Sequence, residues 1–110
     1  MSNVQSNHDG RRSARESVVA PSQIWSATIV PMPALIVNIS PHGCMVRCNY
    51  VVPTGEHLTI DIPSVGALRG LVIWSLGERI GIEFATPIDL DAYLVMLDTM
   101  QPLPDTDQTD

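Results

Sequence analysis

The chain contains no lysine. Its six cations are all arginines, set against 12 Asp and Glu, for a formal net charge of −6 over 110 residues. A general basic footprint for DNA or RNA is thereby excluded. Aromatics are scarce at 5%, which removes the stacking platform of a single-strand-binding barrel. No apolar run approaches the roughly 20 residues that span a bilayer, so membrane insertion is not expected. The opening "MSNVQSNHDG" lacks the apolar stretch of a signal peptide, and the expected address is cytoplasmic.

Cysteine is limited to Cys44 and Cys48, which fits a reducing compartment. On a strand the two lie about 13 Å apart, too far for a disulfide. With His42 they supply too few ligands for a closed zinc site, and no metal is expected. Buried apolar thiols are the simpler account. His8, His42 and His57 have no nucleophile and orienting acid around them. The chain is not expected to be an enzyme or to need a cofactor.

Hydrophobic residues reach 45%, enough for one small core. They come in six short runs broken by Pro and Gly. The runs are Ile24–Val30, Ala34–Ile39, Cys44–Cys48, Leu58–Ile62, Leu71–Trp74 and Ile80–Phe84. Leu58, Ile60 and Ile62 alternate with Thr59 and Asp61, the two-residue period of a strand. "SLGER" between the last two runs suits a hairpin loop around Gly77. The segment "PIDLDAYLVMLDTM" changes period. Leu90, Leu94 and Leu97 recur at helical spacing, with Tyr93, Met96 and Met100 alongside. Asp89 is the expected N-cap and Asp91 an acid in the first turn. The expected fold is all-β with one helix: a six-stranded antiparallel barrel over about residues 22–85, closed by a helix over about 89–100. Residues 1–9 read as a polar leader and 101–110 as an acidic tail.

Two short stretches stand out. "GRRSAR", residues 10–15, concentrates half of the arginines, and Arg11 and Arg15 form R-x-x-x-R. "NISPHG", residues 38–43, places Asn38 and Ser40 two apart on a strand end, hence on one face. Pro41 and Gly43 then fit the second and fourth positions of a type I turn. Each stretch alone reads as a solvated patch or as ordinary turn chemistry. Together, R-x-x-x-R followed by [D/N]-x-S-x-x-G within a six-stranded pattern resembles the PilZ domain family. "RGLVIWSLGERIGIEF", residues 69–84, is similar to that family's hairpin, and the resemblance covers roughly residues 10–100.

The resemblance implies a PilZ-type barrel that binds the bacterial second messenger cyclic di-GMP, with an arginine arm over residues 10–16. That ligand suits arginine. A guanidinium fork reaches guanine O6 and N7 or a phosphate with two hydrogen bonds, and its plane stacks on a purine. Lysine offers neither fork nor plane. Arg11 and Arg15 are the implied clamps, and Arg12 adds a phosphate contact or only charge. Asn38 and Ser40 would bond the guanine or a phosphate from the barrel surface, and Gly43 would shape the turn and keep the approach open. Trp74 either stacks on a base or buries its ring in the core beside Val72 and Ile73. Many family members carry Asp at the position of Asn38. Asn keeps an acceptor, adds donors and loses the charge.

The expected function is a stand-alone cyclic di-GMP receptor. It orders its arginine arm on binding ligand and signals through a separate protein partner. The alternative is a PilZ-like adaptor that binds protein without nucleotide. Such members usually lack the motifs retained here.

Overall fold

The structure, a computed structural model, describes residues 15–102. In these, runs of β-branched residues at every second position form strands, as stiff χ1 angles favour on a pleated surface. In chain order they are β1 (Glu16–Trp25), β2 (Met32–Ser40), β3 (Gly43–Arg47), β4 (His57–Ile62), β5 (Gly66–Leu76), β6 (Arg79–Phe84), helix α1 (Leu90–Thr99) and a two-residue β7 (Gln101–Pro102). The sheet order is β2-β3-β6-β5-β4-β1, every pairing is antiparallel, and β1 also pairs with β2. The ring closes at Ile24, which faces Met32 of β2 and Ile60 of β4. The expected barrel of six strands with one C-terminal helix is therefore the observed one. The short β7 adds to the outer edge of β1 at Val18 and Val19.

The core is aliphatic. Ile24, Ile36, Ile39, Ile60, Ile80, Ile82, Val46 and Val72 are fully buried, with Cys44 among them. Cys48 is also buried, so both thiols are the packed, unbridged groups expected.

The first strand begins earlier than its apolar run suggests. It spans Glu16–Trp25, whereas the run expected to form it was 24–30, and the barrel starts at residue 16 rather than about 22. A bulge between Ser17 and Ala20 breaks the alternation that would reveal it. Pro21 adds to the disguise. It falls where β1 has β2 on one side and no strand on the other, a place a sheet tolerates proline. Residues 26–29 form a loop in which Ser26 Oγ accepts from the amides of Thr28 and Ile29 at 3.1 and 3.0 Å.

Helix α1 begins as expected, with Asp89 Oδ2 accepting from the Asp91 amide at 3.2 Å. Of the leucine row, only Leu97 packs against the core. Tyr93, Met96 and Met100 pack on the barrel, while Leu90 and Leu94 are 61% and 51% exposed. The β5–β6 hairpin turns at Gly77, whose φ of 62° suits the first position of a type II′ turn.

Candidate functional site

β2 and β3 are joined by a two-residue turn, with Ser40 opposite Gly43. Neither Pro41 nor His42 has positive φ, in keeping with the type I turn read from the sequence. The Ser40 hydroxyl is used inside this turn. It accepts from the His42 amide at 3.2 Å and points at the Gly43 carbonyl at 3.5 Å, and the residue is 2% exposed. Ser40 and Asn38 do share a side of the strand, but only Asn38 reaches the surface. Gly43 likewise serves the barrel. A Cβ there would stand 2.2 Å from the carbonyl oxygen of Ile82, so glycine allows β3 to approach β6. The close approach that Gly43 permits is thus to the backbone of β6.

Asn38 is placed outward by a bulge. Ile36 and Ile39 are both fully buried, and the register shifts between Ile36 and Asn38. Alternation restarts with Ile39 inward, which turns Asn38 out. There Arg15 Nη1 donates to Asn38 Oδ1 at 3.3 Å, across 23 residues of sequence. The second arginine of R-x-x-x-R and the first residue of N-x-S-x-x-G thus meet. Arg11 and Arg12 lie outside the described residues.

The register extends this junction into a row. Asn38 faces Met45 of β3, Met45 faces Gly81 of β6, and Gly81 faces Trp74 of β5. Met45 lies between buried Cys44 and Val46, and Gly81 between buried Ile80 and Ile82, so both point outward. The Trp74 ring lies across Gly81, where a Cβ would come 2.1 Å from the indole nitrogen. Trp74 therefore does not enter the core. It rests on the outer face, 37% exposed, at the far end of the row from Arg15. Burial favoured by its neighbours Val72 and Ile73 is overturned by a bulge between Val72 and Trp74, which turns the ring outward.

The charge of Arg15 reaches inward. Burial pushes the Cys44 thiol up to about 12, and Arg15 offsets part of that rise. The Tyr93 phenol is pushed above its ordinary value by burial first and Glu16 second, with Arg15 again opposing. Arg15, Glu16, Asn38 and the helix therefore converge at one end of the barrel. Among the described residues, no three of His, Cys, Asp and Glu gather as a metal site, and no helix is long and apolar enough to cross a membrane.

The family model described as the PilZ domain matches residues 10–98. That is most of the chain, which therefore belongs to the PilZ domain family. The family is one of cyclic di-GMP-binding modules and not of enzymes. No curated protein matches the chain.

Proposed function

We propose that the chain is a cyclic di-GMP receptor whose arginine arm orders on the ligand and whose output passes to a protein partner. The observation that carries this reading is the Arg15–Asn38 contact at 3.3 Å, which joins the two halves of the motif on one surface. Arg11 and Arg15 clamp guanine edges and phosphate, with Arg12 adding charge. Asn38 presents its amide to a guanine or phosphate, and Trp74 offers its exposed face to a base. Ser40 and Gly43 act through the turn that sets Asn38 in place. Among the described residues one hydrogen bond occupies one of the five N–H groups of the Arg15 guanidinium, and the fork can offer others to an anion.

The test is calorimetric titration with cyclic di-GMP against Arg15→Ala. Binding by the wild type and its loss in the variant are the expected result. Amide exchange across residues 8–17 should slow when ligand is added. A wild type that takes up no ligand well above micromolar concentration would favour the adaptor that binds protein alone. Equal binding by the variant would remove Arg15 from the site.

A further inference from the structure

Two arginines outside the opening cluster occupy the same outer face. Arg47 of β3 and Arg79 of β6 are direct cross-strand partners. Both are exposed, and each precedes or follows a fully buried residue, Val46 and Ile80, so both point away from the core. Residues opposed in this way hold their Cβ atoms about 4.5–5.5 Å apart, and like charges so placed destabilise a sheet. Glu78, next in sequence to Arg79, shares a hollow of about 340 Å³ with Arg47. One carboxylate against two guanidiniums leaves net positive charge.

The position of this pair relates it to the site. On β3, Arg47 lies two residues beyond Met45; on β6, Arg79 lies two residues before Gly81. Same-face neighbours on a strand are about 6.8 Å apart. The arginine pair therefore flanks the row Asn38–Met45–Gly81–Trp74 at one strand repeat. Leu76 stands opposite Arg79 as Trp74 stands opposite Gly81, so the two rows run side by side over the same strands.

We propose that Arg47 and Arg79 form a second anion clamp of the ligand site, taking a phosphodiester oxygen of cyclic di-GMP while Arg15 holds the other side of the molecule. The inference rests on the receptor reading above and adds to it two residues outside R-x-x-x-R and N-x-S-x-x-G. A ligand with two phosphodiesters has one anion to offer at the Arg15 end of the row and another to the arginine pair along its flank. Two forked guanidiniums side by side match one phosphodiester, and the bound anion relieves their mutual repulsion.

The experiment is titration of cyclic di-GMP into the full chain carrying Arg47→Ala, Arg79→Ala, Arg47→Lys or Arg69→Ala. Arg69 lines a different hollow, with His57 and Glu83, and is the control for bulk charge. Each alanine at 47 or 79 should weaken binding by about tenfold, the loss of one charge-assisted contact. Arg47→Lys should fall between wild type and alanine, and Arg69→Ala should stay within about twofold of wild type. Thermal melting checks the fold, and both alanine variants should melt no lower than wild type because a like-charge pair is removed. Alanine variants at 47 and 79 that bind within twofold of wild type, while Arg15→Ala loses ligand, would overturn the clamp and leave the receptor reading intact. Equal weakening by Arg69→Ala would reduce it to net charge and also overturn it. A wild type that takes up no ligand would overturn both.

Discussion

The Tyr93 phenol donates to the Ile39 carbonyl at 3.1 Å, tying the middle of α1 to the residue between Asn38 and Ser40. A second tie runs from the Ile88 amide to the Pro41 carbonyl at 2.8 Å. The helix is thus fastened to the backbone of the motif itself. Tyr93→Phe keeps the ring and removes the donor, leaving a buried carbonyl short of a partner. The expected cost is about 1–2 kcal/mol of stability, read from urea unfolding. A loss below about 0.3 kcal/mol would mean that water or another donor replaces the phenol.

Alkaline pH acts on the same region. The folded state holds Cys44 as a thiol up to about 12, against an ordinary value of 9.0. A folded pKa raised above the unfolded one gives stability that is complete below pH 9 and disappears as pH climbs toward 12. Tyr93, also raised, works in the same direction above its own ordinary range. Raising pH from 8 to 10.5 should cost on the order of 2 kcal/mol through Cys44. The urea midpoint should therefore fall over that range, and fall less in Cys44→Ala. Identical pH profiles for the two proteins would exclude the thiol as the cause.

Helix α1 separates periodicity from burial. Leu94→Ala should change stability by no more than about 0.5 kcal/mol, because the side chain already faces water. Met96, fully buried, should cost about 2–4 kcal/mol on truncation to Ala. Thermal melts of the two variants decide this, and equal losses would place the leucine row against the barrel after all.

The sequence carried the barrel and the helix, for identifiable reasons, and singled out Arg15 and Asn38 without foretelling that they touch. β4 shows its alternation openly at Leu58, Ile60 and Ile62, all buried as read. β1 does not, because its bulge and Pro21 cancel the two-residue period. The spacing of Leu90, Leu94 and Leu97 correctly signalled a helix. It could not signal the buried side, since Tyr93, Met96 and Met100 repeat at a similar interval on an adjacent stripe. Ser40 and Gly43 also serve the barrel itself, since a turn that holds itself together uses the same residues as one that holds a ligand. Arg47 and Arg79 are far apart in the chain, and only strand register brings them together.

Glycine at 81 governs how the indole is held. Gly81→Ala places a methyl where the Trp74 ring now rests, so the ring must leave the strand surface. The expected signs are red-shifted, more quenchable tryptophan emission from position 74, measured with Trp25→Phe to remove the other fluorophore. Gly43→Ala meets rigid backbone at Ile82 instead, and should cost about 3 kcal/mol of stability. A Gly81→Ala variant with unchanged emission would mean that the ring is not seated on this glycine.

Asn38 and Ser40 differ in what a truncation tests. Ser40→Ala leaves the part-buried His42 amide without its acceptor, so a loss of ligand affinity there mixes binding with a damaged turn. Asn38→Ala removes only a surface contact of 3.3 Å to Arg15. Its stability should stay within about 0.5 kcal/mol of wild type, as for other exposed substitutions. Its affinity for cyclic di-GMP should nonetheless fall by about tenfold, since both the amide and the anchoring of Arg15 are lost. Calorimetry beside thermal melting separates the two quantities. Unchanged affinity would show that Arg15 finds the ligand without Asn38, whereas a matching drop in melting temperature would make Asn38 a structural residue of β2.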